Sequence, residues 1–397
     1  MVTPDQPPRG RRAPRWVTAA ALAAAVAAGT ALALPPHGTT GGGTVSAVPA
    51  ALGLPWPWTP RLAAAPLGAA AVIVGGQSLA LEDLQDNASV AVVGPDGDHR
   101  LLPLGGPGSA GGTVLLAADG HSLAHDDRNG DLAVTAVDTG DSRTFGVPDG
   151  YYAALAFAPD SGRLAVARVT GRTELGLLDL GSGAFLRLGD LPGDYAARPG
   201  FWAAFSPSGR HVAFQDGGTV VVAGTDGARS GTFTLPAGAV LAGKGAWTPD
   251  GTGLVLGAPT AEGWALSIID AVTGVARSAP VVLRGTPVGD LLGWSGTGTM
   301  VVAGYAGAVD VTSIGLASEV DTVRVLRVPA DGGPAEDLLR LPDGVTSVDI
   351  AADAMNGEGP ARPAPIWPVD RRWAFLALLL VWWPAVGALS ACVRRAG

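Results

Sequence analysis

The sequence predicts an all-β protein: one β-propeller of six blades, or alternatively seven, over residues 71–355, flanked by N- and C-terminal transmembrane helices. Two observations predict this fold class. An apolar run, a turn and an alternating apolar run recur at intervals in the forties, which is typical of propeller blades. Two uncharged apolar segments, Trp16–Leu34 and Trp373–Val393, bracket the repeats, and each is long enough to cross a bilayer as a helix.

Each repeat begins at an apolar or aromatic lead residue and continues into a tight turn. The clear copies read Phe157-Ala-Pro-Asp-Ser-Gly, Phe205-Ser-Pro-Ser-Gly and Trp247-Thr-Pro-Asp-Gly, and weaker copies begin at Leu116 and Trp294. In such a turn proline presets φ, aspartate or serine bonds its own backbone, and glycine takes the positive φ. A second turn follows each copy, so each unit predicts four strands.

The number of blades depends on the two ends of the repeat region. A first copy begins at Ile73, whereas the copy at Ser347 has room for only one strand before the chain leaves the repeats. A lone strand cannot form a blade, so we expect it to pair with the first blade and close the ring, which removes an exposed sheet edge. This interpretation favours six blades over seven.

The repeats resemble those of TolB-type, WD-repeat-like β-propellers. The resemblance rests on the lead aromatic followed by Ser/Ala/Thr-Pro-Asp/Ser-Gly and an apolar strand, and it covers about residues 71–355. It implies extracytoplasmic binding or assembly and carries no catalytic motif across. Because propellers host many unrelated activities, the resemblance informs the fold more than the function.

Basic residues orient the N-terminal segment. Four arginines lie in residues 1–15, which we interpret as a cytoplasmic tail because positive residues stay on the cytoplasmic side. The segment 16–34 fits two descriptions that the sequence leaves open. It is either a retained transmembrane anchor or a signal segment cleaved after Ala33.

The remaining segments complete the predicted topology. Residues 35–70 and 356–372 are rich in Pro, Gly and Ala and are interpreted as linkers, while 373–393 returns the chain and leaves 394–397 as a second cytoplasmic tail. We therefore expect a cell-membrane protein, two-pass or type I single-pass, with its propeller on the extracytoplasmic side. The lipid bilayer is then one of its partners.

The most polar cluster in the repeats is a weak calcium candidate. Asp127, Asn129 and Asp131 have the oxygen spacing at which a calcium loop begins, but Leu132 stands where such a loop needs glycine and no bidentate glutamate follows. A hairpin turn at Asn129-Gly130 in the second blade explains the same residues. We favour the hairpin and expect no metal and no cofactor.

Catalytic and nucleic-acid-binding motifs are missing from the sequence. Ser295 lacks the second glycine of a nucleophile elbow, and the only lysine, Lys244, stands between two glycines without the Ser or Thr of a phosphate-binding loop. The single cysteine excludes a disulfide framework. The net charge of −9, with both chain ends basic, leaves an acidic propeller that repels nucleic acid.

Three hypotheses about function remain. The leading one is a membrane-anchored extracytoplasmic propeller that acts as a binding, scaffold or sensing module at the cell envelope, with an envelope protein or peptide as its partner. The alternatives are a propeller enzyme of the lactonase, lyase or quinone-dependent dehydrogenase type, and a structural envelope protein without a ligand.

Overall fold

The computed structural model describes most of the repeat region. The described residues are 45, 47–55, 59–76, 89–105, 109–127, 129–191, 201–309 and 319–357, all within the compact unit Gly41–Gly397. The segments 16–34 and 373–393 and the tails 1–15 and 394–397 lie outside them. Within the described residues no helix is long and apolar enough to span a membrane.

The described residues form six four-stranded antiparallel sheets, which are the six blades. Blade 1 contains β1 (Val72–Gly76), β2 (Ser89–Val93) and β3 (His99–Pro103), and blade 2 contains β4 (Leu115–Leu116), β5 (Ser122–Asp126), β6 (Leu132–Ala136) and β7 (Ser142–Phe145). Blade 3 contains β8 (Tyr151–Phe157), β9 (Arg163–Val169), β10 (Thr173–Asp179) and β11 (Phe185–Asp190). Blade 4 contains β12 (Ala203–Phe205), β13 (His211–Asp216), β14 (Thr219–Gly224) and β15 (Arg229–Thr234).

The remaining strands complete the ring. Blade 5 contains β16 (Val240–Leu241), β17 (Gly253–Thr260), β18 (Gly263–Asp270) and β19 (Val281–Arg284), and blade 6 contains β20 (Val288–Ser295), β21 (Thr299–Gly307), β22 (Val320–Pro329) and β23 (Glu336–Leu339). The last strand, β24 (Val345–Ile350), returns to blade 1, and a 3₁₀ helix (Ala352–Asn356) follows it. The prediction of six blades is confirmed.

The ring closes through its final strand, as the sequence predicts. β24 pairs antiparallel with β1, with Val72 opposite Ile350 and Val74 opposite Val348. It therefore supplies the first strand of a blade whose other three strands come from the start of the repeat region. In blades 1 to 4 the first strands of neighbouring blades contact one another: β24 contacts β4, β4 contacts β8, and β8 contacts β12. These strands therefore lie on the inner wall of the ring.

The repeat turns tie neighbouring blades together. In blade 5 the lead residue Trp247 donates its indole N–H to the carbonyl oxygen of Ala204 in blade 4, at 3.0 Å. Asp250 then accepts the backbone N–H of Thr252 at 3.0 Å, and Gly251 takes a φ of +69°. The lead aromatic residue thus links its blade to the preceding one. The turn that follows it contains a position of positive φ, which glycine adopts at low cost.

The hydrophobic core lies between blades. Leu155, Leu177 and Phe214 are buried in one cluster that joins blades 3 and 4. Leu115 and Leu164 belong to another cluster, which joins blades 2 and 3. Because each blade presents one apolar face to each neighbour, its strands read as short apolar runs in the sequence.

Part of the segment interpreted as a linker belongs to the propeller. The N–H of Leu52 donates to the carbonyl of Arg340 at 3.0 Å, just beyond the outermost strand of blade 6. The N–H of Leu62 donates to the carbonyl of Leu101, in the outermost strand of blade 1, at 2.9 Å. This segment therefore covers the outer edges of two adjacent blades, which protects them from pairing with other chains.

Candidate functional site

The connections between strands lie on two opposite faces of the ring. The repeat turns and the turns between third and fourth strands lie on one face, which we call the repeat face. The turns between second and third strands and the links from one blade to the next lie on the other, which we call the connection face. This alternation follows from the up-and-down order of the antiparallel strands in each blade.

A cleft opens on the connection face over blade 5. It has a volume of about 750 Å³ and is called the blade-5 cleft below. Its walls are the link between blades 4 and 5 (235–240), the link between blades 5 and 6 (287–288), and the turns at 217–218 and 259–260. Links and turns build the cleft, so it exists only because blades 4, 5 and 6 are neighbours.

Trp264 lies at the cleft and is completely buried. Two glycines make room for its ring: a Cβ on Gly257 would lie 2.5 Å from Cζ2, and a Cβ on Gly289 would lie 2.9 Å from Cδ1. The indole Nε1 has no hydrogen-bond partner among the described residues. A buried indole N–H without an acceptor is a costly arrangement, so Trp264 marks this part of the ring as unusual.

The described residues that line the cleft carry no charged side chain. Three of them, Pro236, Pro259 and Pro287, have no backbone N–H to donate. Asp216 stands between the lining residues Gln215 and Gly217 but is not itself part of the lining. Glu262 and Arg284, which also lie near lining residues in the sequence, pair with each other at 3.1 Å, and both are exposed. The cleft therefore offers an uncharged and largely apolar surface.

The second site is polar and lies at the ring axis, where Lys244 reaches from blade 5 to blade 1. Its Nζ lies 2.5 Å from Oδ1 of Asp349 and 3.0 Å from the carbonyl oxygen of Ile350. It also donates to the carbonyl of Leu116 in blade 2 at 3.4 Å. Asp349 is completely buried and accepts the N–H of Leu116 through Oδ2 at 2.9 Å. One side chain thus connects three blades.

The glycines on either side of Lys244 let blade 5 approach blade 6. The N–H of Leu291 donates to the carbonyl of Ala242 at 2.6 Å, and the N–H of Gly245 donates to the carbonyl of Leu291 at 2.9 Å. A Cβ on Gly243 would lie 1.9 Å from Oδ1 of Asp290, so no other residue fits there. The Gly-Lys-Gly sequence, which lacks the Ser or Thr of a phosphate-binding loop, is explained by this close contact between the backbones of blades 5 and 6.

Two further ionisable groups are buried near Asp349. Burial raises the pKa of Asp290 well above its usual range, the charge of Asp349 raises it further, and Lys244 acts in the opposite direction. Burial also raises the pKa of Tyr305, with a smaller contribution from Asp290. The ammonium of Lys244 is already surrounded by oxygen acceptors, so this cluster acts as a structural tie across the axis.

The calcium candidate residues form a hairpin turn between β5 and β6. Oδ1 of Asp127 accepts the backbone N–H of Asn129 at 2.7 Å and that of Asp131 at 3.0 Å, while Gly130 has a φ of +83°. Burial, and then the charge of Asp127, raise the pKa of Asp126 to about 6. No group of three or more metal-ligating side chains occurs in the described part of the chain. Calcium binding itself stays a prediction to be tested.

Comparison with known proteins yields similarity to solved structures alone. No family model matches the chain, and no curated protein matches it. TolB from Acinetobacter baumannii is 15% identical, with a TM-score of 0.43, and the match covers 70% of this chain and 64% of that one. A putative TolB from Agrobacterium tumefaciens is 14% identical, with a TM-score of 0.43 and coverage of 73% and 93%.

Hydrazine synthase from Kuenenia stuttgartiensis is 15% identical, with a TM-score of 0.38 and coverage of 56% and 66%. This chain thus spans just under two thirds of that protein and of the Acinetobacter TolB. The described strands themselves form a β-propeller, which is the fold that the resemblance to TolB-type propellers implies. At such identities and TM-scores the similarity carries no argument about function.

Sequence reasoning missed both the cleft and the axial cluster. The signal for the cluster was present, because Asp290 and Asp349 are single charges inside apolar strand segments. Aspartate is almost never fully buried without a partner, so such positions predict a buried pair. No comparable signal marks the cleft, since its walls are ordinary Gly, Pro and Ala links.

Proposed function

We propose that this protein is a binding module and that the blade-5 cleft holds an uncharged, extended segment of a partner protein. The observation that carries the proposal is the cleft itself, whose volume of about 750 Å³ lies within the range of ligand pockets. Its position on the connection face also supports it, because links and turns carry binding sites on rigid scaffolds.

Charge complementarity supports an uncharged occupant. A charged group placed against these walls would lose its hydration and find no opposite charge among the described lining residues. Small side chains and glycines, as at Ala237 and Gly238, allow the backbone of a partner to approach closely. An extended peptide fits such a surface better than a sugar does, since Trp264, the aromatic residue among the described lining residues, is fully buried and offers no exposed stacking face.

The polar groups of the ring support binding over catalysis. Lys244 is the single lysine of the chain, and its ammonium is held by Asp349 and two carbonyl oxygens. An amine engaged in this way is not available as a nucleophile or a base. No specific observation favours the enzyme alternative, and we propose no reaction.

We also propose that the module belongs to the cell envelope, where it acts as a scaffold or a sensor. The apolar segments 16–34 and 373–393 and the four arginines before the first one support this location. Protease added to intact spheroplasts should digest the propeller and spare the tails. Digestion of the propeller only after lysis of the membrane would contradict the proposed topology.

The cleft can be tested with a displayed library of random linear peptides, selected against the purified full-length protein. Ala237→Arg puts a charge into the cleft at an exposed link residue. Ala228→Arg is the matched control, because Ala228 is an exposed alanine in the same blade but lies on the repeat face. We expect the enriched peptides to be uncharged, with binding lost in Ala237→Arg and retained in Ala228→Arg.

Two outcomes would contradict the proposal. Enrichment of charged peptides would show that the partner's chemistry is different. Equal binding to both variants would show that the peptides bind outside the cleft.

A further inference from the structure

Three arginines surround one buried glutamate in blade 3. The side chain of Glu174 is only 1% exposed. Its Oε2 accepts a hydrogen bond from Nε of Arg168 at 2.9 Å, and its Oε1 lies 2.6 Å from Nη2 of Arg172 and 3.0 Å from Nε of Arg187. We call Arg168, Arg172 and Arg187 the arginine cluster.

The arginine cluster lies toward the connection face. Arg168 is near the end of β9 and Arg172 follows in the turn between β9 and β10, which is a turn between second and third strands. The guanidinium of Arg168 lies over the ring of Phe185, 4.1 Å from its centroid. This stacking and the buried carboxylate together fix the guanidinium in place.

The cluster carries more positive charge than its internal partners neutralise. Its second acid is Asp190, whose Oδ1 lies 2.7 Å from Nη2 of Arg187. Among the described residues, three guanidinium groups therefore face two carboxylates, which leaves one positive charge in a protein whose net charge is −9. Arg168 in particular holds the pKa of Glu174 below its usual range, so the glutamate stays ionised at neutral pH.

Two arginines of the cluster are exposed and keep N–H donors that no described residue uses. Arg172 is 68% exposed, and within the described residues its ion pair is made through Nη2 alone. Arg187 is 44% exposed and uses Nε and Nη2. Because a guanidinium has five N–H donors, both side chains retain donors for an external acceptor.

We propose that the arginine cluster binds a carboxylate group of a protein partner on the connection face. The planar guanidinium forks match a planar carboxylate and pair with it through two parallel hydrogen bonds. Glu174 already holds the three side chains together, so little side-chain entropy is lost on binding. The acidic surroundings repel a polyanion, whereas a single carboxylate gains from the local positive charge.

Acetate is the probe for this site. We expect the melting temperature of the purified full-length protein at pH 7 to be about 2–3 °C higher in 100 mM sodium acetate than in sodium chloride of equal ionic strength, for a Kd of about 10 mM. Arg172→Gln should reduce this difference, and Arg172→Gln with Arg187→Gln should abolish it. Arg284→Gln is the matched control, because Arg284 is an exposed arginine that pairs with the exposed Glu262, and it should retain the difference.

Three results would overturn the proposal. The first is an equal melting temperature in acetate and chloride. The second is a difference that persists in the Arg172/Arg187 double variant. The third comes from a parallel titration with sodium phosphate: an increase with phosphate that depends on the same arginines, without one in acetate, would mean that the site takes phosphate and not carboxylate. The cleft test uses different residues, so either proposal can fail alone.

Discussion

Removal of the Lys244 ammonium should be among the most damaging single changes in the ring. Lys244→Met keeps a similar length and apolar stem but deletes the charge that faces the completely buried Asp349. The carboxylate would retain two backbone donors, the N–H of Leu116 at 2.9 Å and that of Ile350 at 2.8 Å. It would lose the only opposite charge within 4 Å of it in the described structure.

The size of the loss follows from the burial of the pair. Removing one partner of a buried ion pair typically costs about 3–5 kcal/mol, because the other charge is left uncompensated. Whole domains are stable by only about 5–15 kcal/mol, so this change removes a large share of the free energy of unfolding. In a domain of this size it should lower the melting temperature by about 5–8 °C.

Urea denaturation followed by tryptophan fluorescence measures this loss, and a double variant isolates the charge. Lys244→Met with Asp349→Asn removes both charges and keeps an acceptor for the backbone donors, so it should be markedly more stable than Lys244→Met alone. Arg284→Met, which breaks an exposed pair with Glu262, should cost less than about 1 kcal/mol. Equal stability of the single and double variants would refute the reasoning.

Three further changes test the local geometry. The pKa of Asp290 is raised in the folded state, so the free energy of unfolding should fall as the pH rises above the unfolded-state pKa of about 3.9. Asp290→Asn should flatten this pH dependence and stabilise the protein at pH 7, which urea denaturation at several pH values measures. Gly243→Ala should cost at least about 1–3 kcal/mol in urea denaturation, whereas Gly298→Ala, with open space around its Cβ position, should cost far less. Asp127→Ala should cost about 1 kcal/mol through its lost turn bonds, and calcium should leave the melting temperature of the parent protein unchanged; an increase that Asp127→Ala abolishes would support the calcium hypothesis.

The ring could be predicted because its signals are local. Pro-Asp-Gly turns and the apolar runs beside them specify each hairpin through backbone preference and burial, and the single strand at Ser347 could only close the ring. The docking of the segment near Leu52 and Leu62 was not predicted. Its Pro, Gly and Ala content is typical of a linker, and its isolated bridges to blades 6 and 1 depend on distant carbonyls.

The sites were harder to predict because they depend on which blades are neighbours. Lys244 and Asp349 meet only after the ring closes and brings blade 1 beside blade 6. Glu174 and Arg172 lie close in sequence, but charged residues beside a hairpin turn are normally exposed, so the sequence does not predict that Glu174 is buried. Its burial, and the approach of Arg187 from the next strand, require the folded sheet.

The most direct test of the binding proposal is site-specific photo-crosslinking in living cells. A benzophenone amino acid is placed at position 237 in the cleft link or at position 228 on the repeat face, and the cross-linked partner segment is sequenced by mass spectrometry. We predict a discrete adduct from position 237 with an uncharged segment of one partner protein, and no such adduct from position 228. An adduct from position 228 alone, or a charged segment at position 237, would contradict the account.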